Sequence, residues 1–146
     1  MADPATRQIQ DALLTLCASA MPTVSFFIDR SAENGLDEGE VPGVIIRISD
    51  VSKAAIEYAQ WRWQCTVQFD CYSGIDASLS IDAVNQKIIS DIMAAVFADV
   101  TLGGRVESIE PDFADASEKS APDVGWAVLQ YTCFFATQAG DFTHLL

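Results

Sequence analysis

Between about residues 57 and 72 the chain alternates with a period of two. Trp61, Trp63, Cys65, Val67, Phe69 and Cys71 fall on one side, and Gln60, Arg62, Gln64, Thr66, Gln68, Asp70 and Tyr72 on the other. Successive side chains of a strand point to opposite faces, so this segment predicts a strand with one face on a core and one polar face. Its length predicts a hairpin that protrudes beyond its sheet. Gln, Thr and Arg suit a wet protein–protein contact, which makes Arg62, Gln64 and Gln68 candidates for subunit contacts.

Two segments change to helical spacing. Ile9, Leu13, Leu16, Cys17 and Ala20 predict an amphipathic helix over about 4–20, opened by Asp3 as N-cap with Pro4 in the first turn and stopped by Pro22. Ser80 predicts the cap of a second helix, about 80–98, with Ile81, Val84, Ile88, Ile92, Ala95 and Val96 in one stripe. Ile89, Met93 and Phe97 broaden that stripe toward a second surface. Thr101-Leu-Gly-Gly104 predicts a left-handed stop to it.

Shorter apolar runs predict strands at 24–28, 43–49 and 105–109. From Gly125 to Thr137 the chain is bulky on both sides, with Trp126, Val128 and Phe134 against Leu129, Tyr131, Cys133 and Phe135. That pattern belongs to a central strand covered twice. Two stretches rich in acids, 29–42 and 110–123, read as loops; the first holds Asp29, Glu33, Asp37, Glu38 and Glu40, the second Asp112, Asp115 and Glu118. The tail from residue 138 ends in Phe142, His144, Leu145 and Leu146, too short to fold alone, so Phe142, Leu145 and Leu146 are further candidates for contact with a neighbouring subunit. The resulting order, α-β-β-β-α-β-β, predicts a single α+β domain over residues 1–146: a mainly antiparallel sheet with two helices on one face.

Composition narrows the function classes. A 146-residue chain buries roughly 68% of its unfolded surface, enough for one core. Half the residues are apolar and the mean hydropathy is +0.20, yet the formal net charge is −13. Both extremes hold together where partner subunits cover apolar surface while the acids keep the assembly soluble. Eight basic residues scattered among 21 acids argue against binding nucleic acid through its phosphates and against docking on an anionic membrane. No apolar run reaches the roughly 18–20 residues of a membrane span, and the first residues lack the order of a signal peptide, so the expected compartment is a cytoplasm.

Candidate chemistry is sparse. His144 is the single histidine, no CxxC pair occurs, and Cys17, Cys65, Cys71 and Cys133 fall on apolar faces, where they read as small buried hydrophobes. Leu102-Gly103-Gly104-Arg105 follows a helix and precedes a strand, the wrong order for a phosphate-binding helix start. The acids of 29–40 do not match the spacing of a helix-loop-helix calcium site. No catalytic residue, cofactor or metal is expected.

The helix from Ile81 running into Ala98-Asp-Val-Thr-Leu-Gly-Gly-Arg-Val106, then an acidic stretch, the strand Gly125-Trp-Ala-Val-Leu-Gln-Tyr-Thr-Cys-Phe-Phe-Ala-Thr137 and a Gly140-Asp141 end, resembles the second half of phage tail terminator and tail completion proteins. An N-terminal helix leading into three strands is similar too, so the resemblance spans nearly the whole chain. It implies a virion protein forming a ring, usually a hexamer. Such a ring caps the tail tube of a long-tailed phage on one side and receives the head-side connector on the other. It implies no catalytic residues. DNA travels through such a ring without specific binding, and acids of 29–40 or 110–123 facing the lumen would keep phosphates from adhering. Alternatives are a head–tail connector, a tail-tube subunit, and a monomeric module holding a small ligand under Trp61 and Trp63.

Overall fold

The computed structural model describes residues 3–29, 36, 38–74, 81–121 and 124–146. Helix α1 (Ala5–Ala20) leads into β1 (Ser25–Phe27), and a 3-10 turn at Glu38–Glu40 precedes β2 (Gly43–Glu57) and β3 (Gln60–Gly74). Helix α2 (Ile81–Ala98), β4 (Ser108–Ala121), β5 (Val124–Gln138) and β6 (Asp141–Leu145) follow. The protein is an α+β domain in the expected order, closed by one additional strand. The sheet runs β1-β2-β3-β5-β4, with β6 joining the far end of β5. Among the described residues only the three-residue β1 pairs in parallel, against Gly43–Ile45 of β2.

Register explains why both helices share one face. Val44, Ile46 and Ile48 stand opposite Cys71, Phe69 and Val67. Cys65, Val67, Phe69 and Cys71 in turn stand opposite Cys133, Tyr131, Leu129 and Ala127. These rows form one apolar surface, and Ile9, Leu13 and Cys17 of α1 with Ile88, Ile92 and Val96 of α2 close over it. Each helix contributes residues four apart, so a single stripe meets the sheet. All four cysteines are free and buried in this layer.

At the end of α2 the backbone turns left-handed at Leu102, Gly103 and Gly104 in succession. The Gly103 amide donates to Asp99 Oδ1 at 3.0 Å, and Val106 N donates to Thr101 O at 3.0 Å, so the freed helix end is satisfied. Leu102 accepts an unfavourable φ of 50° because its side chain is buried in the core. The Leu-Gly-Gly stop therefore behaves as its sequence implies.

Several expectations are corrected. Residues 110–121 are not a loop: they continue the strand begun at 108 and pair with β5 through three register shifts. Strand β2 runs to Glu57 instead of ending near 49, also with two register shifts. The tail is not free: Asp141–Leu145 pairs with β5 as β6. Asp3 does not cap α1; Pro4 occupies that position with no side-chain hydrogen bond. The Gln8 carboxamide instead donates to Asp3 O at 2.8 Å and to Thr143 O at 2.7 Å, fastening β6 to the start of α1.

Candidate functional site

Three parts of the described surface carry the candidate residues and exposed apolar groups: the sheet face away from the helices, the aromatic end around β6, and the two flanks of the sheet. On the face away from the helices, Asp70 is fully buried although its neighbours along β3 are polar. Arg47 Nε donates to Asp70 Oδ2 at 2.6 Å and Gln68 Nε2 to Asp70 Oδ1 at 2.9 Å, so the buried carboxylate is held by charge-assisted hydrogen bonds from two strands. Gln68 is thus committed within its own subunit. Arg62 sits between Glu57 (3.2 Å) and Glu107 (3.0 Å), joining the hairpin to the start of β4. Gln64 is exposed.

At the β6 end, Phe142 lies edge-on to Trp63 with ring centroids 5.1 Å apart and to Phe135 at 6.0 Å. Trp61 meets Trp63 edge-on at 6.1 Å, and Trp63 Nε1 donates to Thr137 Oγ1 at 3.0 Å. Phe142 and Leu145 are half-buried and pack against their own core. Phe142 thus covers part of the Trp63 ring. Leu146 stays 51% exposed, with its amide donating to Ala136 O.

The acids separate on inspection. Asp29 is exposed and accepts from both terminal nitrogens of Arg7, at 2.6 and 3.1 Å. Arg7 holds the Asp29 carboxyl below the usual carboxylate range. Glu33 and Asp37 lie outside the described residues, as does the side chain of Glu38, while Glu40 is half-buried. Asp112 is exposed and accepts from Thr132 Oγ1, Asp115 is half-buried, and Glu118 pairs by its backbone with Trp126. The two acidic stretches thus differ in kind. One precedes β2, and the other forms most of the edge strand β4. Among the described residues no group of three or more His, Cys, Asp or Glu side chains is placed to hold a metal ion.

No family model matches the chain, and no curated protein matches its sequence. Chemistry must therefore be judged from the side chains themselves. Burial pushes the Cys17 thiol up to about 12 and Cys71 higher still. Cys133 is raised by its hydrogen bond to Cys65 as well as by burial. Raised, buried thiols are poor nucleophiles. His144 is exposed and lies beside Asp141, whose carboxyl is held below its usual range by two hydrogen bonds from Thr143.

The flanks hold the largest exposed apolar side chains among the described residues. Tyr58, at the tip of the β2–β3 hairpin, is fully exposed at 103%, Ile56 near it is 63% exposed, and Val51 further back along β2 is 42% exposed. Across the sheet, Phe97 at the end of α2 is 82% exposed. With Met93, Ala94, Val96 and Val100 it forms one wall of an open cavity of about 350 Å³ completed by Ile109, Pro111 and Tyr131. The protruding hairpin is expected from strand length, but its turn is unmarked in sequence because Tyr58-Ala59 lacks the Asn-Gly or Asp-Gly chemistry of two-residue turns; Ala59 instead adopts φ 69° itself. The excess width of the α2 apolar stripe was the signal for the other flank, and Phe97 is where that stripe overruns the core.

Proposed function

We propose that the chain is a structural virion assembly protein: a subunit of a closed ring, six copies in the fullest form of the reading, that caps a phage tail tube and meets the head-side connector. The reading starts from the resemblance of residues 81–141 to tail terminator and completion proteins. The observation that carries it is the placement of exposed apolar side chains on both flanks of one sheet. Monomeric proteins rarely leave such groups in clusters, and clusters on opposite flanks suit contact with two neighbours at once. A heterologous contact of that kind closes into a ring when its rotation allows.

The charge supports the same reading. A net charge of −13 keeps a greasy surface soluble and repels phosphates, so DNA would pass the ring without adhering. In this reading the protein is not an enzyme, needs no cofactor, and resides in the virion at the head-proximal end of the tail after assembly in the host cytoplasm. Against the small-ligand alternative stands the edge-on packing of Phe142 on Trp63.

Mass measurement followed by a polymerisation assay tests it. Native mass spectrometry and light scattering should find a closed ring, and that ring, added to growing tail tubes, should stop elongation. Open-ended cylinders would indicate a tube subunit, and a ring that leaves elongation unchanged would indicate a connector. A 15.8 kDa particle at every concentration, inert toward tubes, would end the proposal.

A further inference from the structure

We infer that Cys65 and Cys133 are a redox-sensitive pair, which hydrogen peroxide closes into a disulfide tying β3 to β5 once the protein leaves a reducing environment. This stands whether or not copies of the chain form a ring. The two thiols face each other directly across the central strands and are 1% and 0% exposed.

Register brings the bond within reach. Ala139 N donates to Ala59 O at 3.1 Å, and the pairing then runs without a shift from Gln60/Gln138 to Gly74/Val124. Opposite residues of an antiparallel ladder alternate between hydrogen-bonded and open pairs. Cys65/Cys133 lies an even number of places from Ala59/Ala139 and is therefore a hydrogen-bonded pair. Its Cα atoms stand about 5.5 Å apart, within the roughly 4.4–6.8 Å that a disulfide spans. The Cβ atoms of such a pair, about 5 Å apart, must approach by roughly 1 Å. A bond closed against the sheet in this way is one that a thiol reopens.

Chemistry singles out this pair among the four cysteines. Cys133 shares its S–H with the Cys65 sulfur, and that hydrogen bond holds the Cys65 thiol below its ordinary value against the opposing effect of burial. Cys65 is therefore the attacking sulfur, since the thiolate is the nucleophile. Burial pushes Cys17 up to about 12. Cys71 faces Ala127 across the ladder and turns its S–H to Phe69 O.

A route to Cys65 is built into β2. Thr66 pairs with Ser49 and Gln64 with Ser52, so the bulge between them leaves Cys65 with no β2 partner in register among the described residues. Asp50 takes φ 53° there, and Val51 is 42% exposed. Opening at a bulge breaks few ladder bonds, so a molecule as small as hydrogen peroxide slowly reaches the sulfur while β3 and β5 stay paired. The Cys65 thiolate attacks one peroxide oxygen; the O–O bond breaks, hydroxide leaves and is protonated to water, and Cys65 carries S–OH. The Cys133 sulfur then attacks Cys65 Sγ, forming S–S, breaking S–O and releasing a second water that takes the Cys133 proton. Each sulfur gives up one electron, and both reduce the peroxide.

Alkylation after peroxide treatment tests this. Reduced, folded protein is exposed to hydrogen peroxide, quenched, unfolded, treated with iodoacetamide and digested for mass spectrometry. Two of the four thiols should escape alkylation, and one linked peptide pair should carry Cys65 and Cys133. Dithiothreitol should restore all four alkylated sites. Cys17→Ala should leave the link in place, and Cys133→Ala should abolish it. The bond closes a loop of roughly 70 residues, so the linked protein should melt about 5 °C or more above the reduced form. Four alkylated thiols after peroxide would overturn the inference, as would a link through Cys17 or Cys71. So would the same mixture of pairings that protein unfolded in urea gives, or a linked form that melts no higher than the reduced one. The deciding readings come from the unmodified chain, so a variant that fails to fold does not remove the test.

Discussion

Replacing Phe142 by Ala separates the two views of the C-terminal segment, as a free arm for a neighbour or as part of the subunit's own core. Full burial of a phenylalanine is worth about 3–5 kcal/mol on truncation to Ala. Phe142 is half-buried, so roughly half of that applies, and its two edge-on ring contacts at 5.1 and 6.0 Å lie inside that figure. A loss of about 2 kcal/mol follows. For a chain near 150 residues this lowers Tm by about 4–8 °C. Thermal unfolding followed by circular dichroism, at fixed protein concentration because assembly makes Tm concentration-dependent, reads the shift. Tryptophan emission should move to longer wavelength as Trp63 gains water. Leu146→Ala is the control: at 51% exposure and past the last strand pair, it should cost under about 0.5 kcal/mol. If Phe142→Ala changed Tm by less than about 1 °C and left the emission alone, the segment would not be packed as described.

Two further outcomes are expected. A Cβ on Gly43 would stand 2.5 Å from Glu40 O and 2.5 Å from Leu36 Cδ1; the leucine can move but the carbonyl cannot. Gly43→Ala should therefore cost about 1–3 kcal/mol, seen as a lower urea midpoint with an unchanged slope, and an unchanged midpoint would refute it. Cys17 ionises near 9.0 when unfolded but only near 12 when folded, so its contribution is fully present below pH 9 and is lost as pH rises toward 12. Unfolding midpoints should fall across that window, and at pH 8 the folded protein should show no rapidly reacting thiol toward a disulfide reagent; one fast thiol would contradict the burial of all four.

The helices and the central strands were legible because each repeats a single period long enough to be unambiguous. Ile9 to Ala20, Ile81 to Phe97 and Trp61 to Cys71 all carry that signal. Strand β4 was not legible, for a physical reason. Glu110, Pro111, Asp112, Asp115 and Glu118 have poor strand preference, and what draws them into the sheet is the exposed backbone of β5, whose N–H and C=O groups need partners. No local pattern carries that long-range demand. Asp70 failed in the other direction. A polar residue in an alternating strand reads as wet, and only the arrival of Arg47 and Gln68 makes its burial tolerable. The exposed candidates fared unevenly: Gln64 and Leu146 lie at the surface, whereas Arg62, Gln68 and Phe142 are engaged within the subunit. The protruding hairpin and the over-wide α2 stripe are legible, but how far Tyr58 and Phe97 are exposed is a property of the assembled sheet.

The carboxamide of Gln8 touches backbone carbonyls 140 positions apart in the chain, Asp3 and Thr143. Beginning and end of the described polypeptide are thus brought to one spot. A label fused at either end would emerge from that same spot, and in any symmetric assembly the labels would mark a single circle. Low-resolution images of particles tagged first at one end and then at the other would superimpose, and would reveal which side of the assembly carries the clasp.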